Sequence, residues 1–121
     1  SLDAKTREQI ALAVGQANSC DYCLAAHSAI GGMVGLSQDQ ILGARTAKSG
    51  DAKNAATLKL ASRIVETRGN VTDADVNAAR AAGLSDGELA EVVANVALNI
   101  YTNYFNHVAA TEVDFPKAAA I

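Results

Sequence analysis

The segment Ser19-Cys20-Asp21-Tyr22-Cys23-Leu24-Ala25-Ala26-His27 gathers both cysteines of the chain and one of its two histidines. On a helix, positions 20, 23 and 27 are related by i, i+3 and i+7, so their side chains share one face. Two thiols one turn apart can join as a disulfide, and an imidazole one turn further on can move a proton. A free thiol titrates near ~8.5, and only the thiolate attacks a peroxide O–O bond. Cys20, at or just before a helix start, meets the positive end of the backbone dipole, which favours an anion. Cys23, one turn from His27, can pass its proton to the imidazole directly or through water. Dipole logic therefore points to Cys20 as the reactive thiolate, and relay logic points to Cys23.

The elements that must hold these residues read as helices throughout. Asp3 can cap a first helix from about Ala4 to Asn18, with Ile10, Ala11, Val14 and Ala17 as its apolar stripe. A break or tight turn at 19–21 starts the second helix, which carries Cys23 and His27 and fades near Gly31-Gly32 or Gly35. Gly35-Leu36-Ser37 with Gln40, and Gly83-Leu84-Ser85 with Glu88, each join a glycine stop, a hydrophobic staple and a capping box. Convergent capping explains this similarity more simply than internal duplication. Asp51 opens a helix through about Arg68, with Leu58, Ala61, Ile64 and Val65 inward, and Thr72 or Asp73 starts a short helix to Ala82.

The last helix, from about Asp86 to Val113, has the strongest pattern. Leu89, Val92, Val93, Val96, Ala97, Ile100, Tyr101, Tyr104, Phe105 and Val108 recur at threes and fours. That face is broad enough to pack on both its own domain and a partner subunit. The expected fold is all-α, about six helices in one domain over residues 1–121, with the cysteine pair at the start of a buried helix.

Composition supports this reading. Half of the residues are hydrophobic but only 4% are aromatic, and alanine supplies much of the apolar count, which favours closely packed helices. A net charge of −3 with ten scattered Lys and Arg residues gives little support to nucleic-acid or anionic-membrane binding. No apolar run approaches the ~20 residues of a spanning helix. The start of the chain lacks a signal-peptide pattern, although Ser1 in place of Met leaves processing open. Without a secretory mark, a CxxC reads as a redox or metal pair rather than a staple, and the cytoplasm is the expected compartment.

A CxxC that opens a helix, with a histidine four residues after its second cysteine and no βαβ setting, resembles the AhpD-like alkylhydroperoxidase and carboxymuconolactone decarboxylase superfamily. Redox-active members carry a glutamate twelve residues before the first cysteine, where this chain has Glu8. The match Glu8-x11-Cys20-x2-Cys23-x3-His27 extends through the Gly35-Leu36-Ser37 helix start and Asn103-Tyr104-Phe105-Asn106. The resemblance implies an AhpD-like fold and a dithiol peroxidase. In that scheme Cys23 attacks a hydroperoxide, Cys20 resolves the sulfenic acid as a disulfide, and Glu8 and His27 form the proton relay. It further implies an external dithiol reductant, such as a thioredoxin-like or lipoyl-bearing protein, meeting Cys20 as the more exposed sulfur. A trimer or hexamer is implied as well, with no cofactor or metal. The best-known hydroperoxidase of the family has a second histidine between its cysteines, where this chain has Tyr22. A tyrosine is a poor proton acceptor at neutral pH, so the relay rests on Glu8 and His27. The decarboxylase branch generally lacks the cysteine pair, which points away from lactone decarboxylation.

Other readings of the same residues are a non-enzymatic metal-binding or redox-sensing oligomer using Glu8, Cys20, Cys23 and His27, or a structural domain. One helix converges poorly on a tetrahedral metal centre unless its first cysteine leaves the helix. Tyr22 either lines a substrate pocket or packs on a neighbour. His107 reads as a polar-face or interface residue, and Asn103 and Asn106 as helix-bridging groups. Tyr101, Tyr104 and Phe105 read as core or subunit interface.

Overall fold

The computed structural model describes residues 2–121, and among these there are six helices and no strand. They are α1 (Ala4–Ala17), α2 (Asp21–Met33), α3 (Gln38–Arg45), α4 (Ala52–Thr67), α5 (Asp73–Ala81) and α6 (Asp86–Ala109). Each start is fixed by a side chain that takes an otherwise unpaired N–H. Asp3 and Asp51 cap α1 and α4, and Ser37, Thr72 and Ser85 form full capping boxes with Gln40, Asp75 and Glu88. Leu36 and Leu84, the expected staple residues, are buried.

The helix ends share one device. In α1, the Cys20 N–H donates to the Gly15 carbonyl (3.0 Å) and the Ser19 N–H to that of Gln16 (3.2 Å), with Ser19 left-handed at φ 52°. This is a Schellman closure. The same pair of bonds ends α3 at Ala47, α4 at Arg68 and α6 at Ala110, all of them left-handed residues with a Cβ. In α2 and α5 the left-handed residue is the glycine that the sequence pattern suggests, Gly35 or Gly83. In α4 the glycine expected at its end, Gly69, follows Arg68 and donates to the Ile64 carbonyl.

The centre of the bundle is α1, which packs against α2, α3, α4 and α6. Its residues from Gln9 to Gly15 are buried in succession, so burial follows position along the helix rather than a single stripe. Ala17, expected to point inward, lies beyond this enclosed stretch and is exposed. The one polar side chain in the stretch, Gln9, is satisfied because Asn54 Nδ2 donates to its Oε1 (2.7 Å). Leu58, Leu60 and Ala61 of α4 complete the core opposite, with Ile64 and Val65 half-buried against it.

At 24 residues, α6 is about 36 Å long. Val92, Val96, Asn99 and Asn103 form its buried line. Val93, Tyr101, Tyr104, Phe105 and Val108 are exposed, and the Tyr101 and Phe105 rings stack at 6.3 Å. The aromatic cluster is thus no part of this chain's core. The helix stops at Ala109, short of the expected Val113, because the apolar period is exhausted after Val108. Pro116 also biases Phe115 toward extended backbone. The tail turns back instead. Phe115 meets Tyr22 edge-on at 6.0 Å, and Arg45 Nη1 donates to the Ala119 carbonyl. No helix among the described residues is long and apolar enough to cross a membrane.

Candidate active site

The turn that ends α1 also begins α2. Cys20 closes the Schellman pair of α1 with its N–H and serves as the N-cap of α2 with its side chain. Its Sγ accepts the backbone N–H of Cys23 (3.2 Å), so the sulfur stands where a capping oxygen usually does. Leaving the helix at Cys20 brings the two sulfurs together, and Cys20 and Cys23 are joined as a disulfide with Cα atoms 5.2 Å apart. α1 lies directly beneath: a Cβ at Gly15 would stand 3.5 Å from that of Cys23.

Both sulfurs lie deep. Cys20 is 1% exposed and Cys23 3%, so the expected outward presentation of Cys20 does not occur in this chain. The Ser19 turn faces it inward, against the end of α1.

One turn beyond Cys23, His27 Nδ1 stands 2.6 Å from Glu8 Oε2, with side-chain exposures of 22% and 18%. With the carboxylate as acceptor, Nδ1 carries the shared hydrogen and the other ring nitrogen, Nε2, is left for proton exchange. Glu8 and His27 come from different helices, and the contact ties α1 to α2. Among the described residues no hydrogen bond joins His27 to either sulfur.

The partner of Cys23 Sγ is instead Asn106, whose Nδ2 lies 3.6 Å away. Three residues earlier on α6, the fully buried Asn103 accepts from Asn18 Nδ2 (2.9 Å), pinning the turn that presents Cys20. Asn103 Nδ2 has no partner of its own. Asn103 does bridge helices as its residue type suggests, but Asn106 reaches the sulfur as well. The sequence signal was Asn103-x2-Asn106 on the face continuing Val96 and Asn99, which marks polar groups turned inward.

Tyr22 packs on Phe115 of the tail, and His107 is exposed in the last turn of α6. Among the described residues no group of three or more His, Cys, Asp or Glu side chains is arranged to hold a metal ion. The disulfide engages both thiolates that the metal alternative would need.

A cavity of about 830 Å³ between α1, α4 and the α3–α4 connection touches none of Glu8, Cys20, Cys23 and His27. A smaller one of about 470 Å³ adjoins the cysteine turn. Asp21, Leu24 and Ala25 of α2 line it on one side, with Phe115 and Ala118 of the tail on the other. It too is lined by none of Glu8, Cys20, Cys23 and His27.

The molecule is thus an all-α bundle with a disulfide-forming CxxC pair at a helix N-terminus and a carboxylate-held imidazole one turn on. The carboxymuconolactone decarboxylase family model matches residues 1–66, and the chain belongs to that family. An uncharacterized peroxidase-related protein from Silicibacter sp. TM1040 superposes with a TM-score of 0.85 at 23% identity, over 93% of this chain and 60% of that one. A second structure, described as an alkylhydroperoxidase AhpD core and an uncharacterized peroxidase-related protein from Ralstonia eutropha JMP134, gives 0.76 at 27% identity, over 89% and 58%. The chain thus spans about 60% of the length of these two proteins. No curated protein matches it.

Proposed function

We propose that the chain is a dithiol peroxidase. The observation that carries this reading is a cysteine pair already joined as a disulfide, one turn before an imidazole held by a carboxylate on the neighbouring helix. The peroxidase-related description of the similar structures supports the same reaction class.

In the proposed cycle the Cys23 thiolate attacks the terminal oxygen of a hydroperoxide. The S–O bond forms as the O–O bond breaks, and the alkoxide leaves as the alcohol after taking a proton from His27. Glu8 holds the ring for that transfer. Cys20 then attacks the Cys23 sulfenic acid, forming the disulfide and releasing water. An external dithiol, thioredoxin-like or lipoyl-bearing, returns both thiols by exchange and leaves as its own disulfide.

The test is thiol counting on the reduced protein with one equivalent of hydroperoxide. Both thiols should disappear together in the wild type, and Cys23→Ser should form no internal disulfide. Glu8→Gln should slow the reaction by about tenfold to a hundredfold with the helical spectrum unchanged. Two free thiols that survive peroxide would refute the reading.

A further inference from the structure

Cys20 and Cys23 differ in what donates to them. Cys20 Sγ takes a backbone N–H of its own helix, whereas Cys23 Sγ takes a side chain from α6, 83 residues further along the chain. We propose that Asn106 is the thiolate-stabilising residue of this site: in the reduced protein its carboxamide N–H donates to Cys23 Sγ and favours the ionised sulfur. The proposal rests on the dithiol reading above and deepens it by marking Cys23 as the attacking thiol.

The orientation of Asn106 follows from its second contact. Its Nδ2 also donates to the Thr102 carbonyl at 2.8 Å. A carbonyl only accepts, so the amide nitrogen, and not the oxygen, must occupy that side. A carboxamide has two N–H groups, and these two acceptors use both. The side chain is thereby held with a donor on the sulfur, which costs nothing in reorganisation when charge appears there. In this half-buried setting such a bond counts for more than it would in water.

Among the described residues no other side chain donates to Cys23 Sγ. Glu8 on α1 and His27 on α2 bond each other, Asp21 and Tyr22 donate to neither sulfur, and His107 on α6 is exposed. Asn103, one turn earlier, fixes α6 to the turn before Cys20, which sets the reach of Asn106.

The test isolates one thiol. Cys20→Ser keeps a competent N-cap and leaves Cys23 as the sole thiol, whose titration is followed by thiolate absorbance in the reduced protein. Adding Asn106→Leu removes the donor and should raise the titration midpoint by about one unit, about tenfold less thiolate below the midpoint. Adding Asn106→Asp keeps the shape but turns an acceptor toward the sulfur, and should raise it further. If the leucine variant does not fold, Asn106→Ala, which removes the donor without adding charge, decides in its place and should raise the midpoint by a similar amount. A midpoint unchanged in the uncharged variant that folds overturns the proposal, since an Asn106 with a merely structural role would there move only the melting temperature. Wild-type protein that ignores peroxide while these midpoints still shift would refute the peroxidase and leave this inference standing. Peroxide turnover with unmoved midpoints would do the reverse.

Discussion

A disulfide that cycles must leave the fold intact when it opens, and the size of its contribution follows from where it lies. Cys20 and Cys23 are three positions apart, so the bond closes a loop of four residues. Loop-closure entropy for a ring that short is about 6 cal/mol/K, or about 2 kcal/mol at 25 °C, against about 4.7 kcal/mol for a 100-residue loop. A chain of 121 residues unfolds with an entropy of roughly 250 cal/mol/K, so reduction should lower the melting temperature by about 8 °C. The hydrogen bond from the Cys23 N–H to Cys20 Sγ does not depend on the S–S bond, so the start of α2 should survive. The assay is a thermal melt with and without reductant, followed by far-ultraviolet circular dichroism at one protein concentration. Loss of helical signal on reduction at room temperature, or a destabilisation above about 4 kcal/mol, would make the pair a staple and refute this argument.

Two further outcomes follow from local geometry. Ala110→Gly relieves the left-handed strain at φ 49° on an exposed residue, and after the cost of a freer unfolded chain it should stabilise by about 0.5–1 kcal/mol. A melting temperature that stays level or falls would contradict it. Glu88 is held down to about 2, from an ordinary 4.5, by the Ser85 backbone N–H and then by Lys53. A depressed carboxylate contributes stability above its unfolded value and loses it as pH falls through the folded one. Glu88→Gln should therefore lower the urea midpoint at neutral pH, and the gap to wild type should close between about 4.5 and about 2; a gap independent of pH would refute the assignment.

What was readable in the chain was local. Ser37 with Gln40 and Ser85 with Glu88 announce their helix starts because a capping box needs only residues three apart, and both form. The contact between Glu8 and His27 was legible through a motif spacing, although it spans two helices. The misses are of two kinds. Ser19, Ala47 and Ala110 end their helices without the glycine that usually marks a left-handed residue, so the cue was absent although the conformation is present, whereas Gly69 did mark the end of α4 after Arg68. Asn106 reaches Cys23 through the packing of α6 beside α2, which no short-range pattern encodes. The depth of Cys20 has the same origin, since an N-cap can face either way until the next helix is placed.

The burial of both sulfurs has a kinetic consequence. A small peroxide can reach a site by diffusing through transient gaps, but a thiol carried on a folded protein must bring its sulfur, and the bulk of its carrier behind it, up to the disulfide. With Cys20 1% and Cys23 3% exposed, and Phe115 of the tail resting on Tyr22 between them, such a reagent waits for an opening of the tail or of the first turn of α2. In the proposed cycle the two half-reactions would then obey different rate laws. Oxidation would rise in proportion to peroxide, whereas reduction by a macromolecule would level off at the rate at which the tail or the first turn of α2 opens.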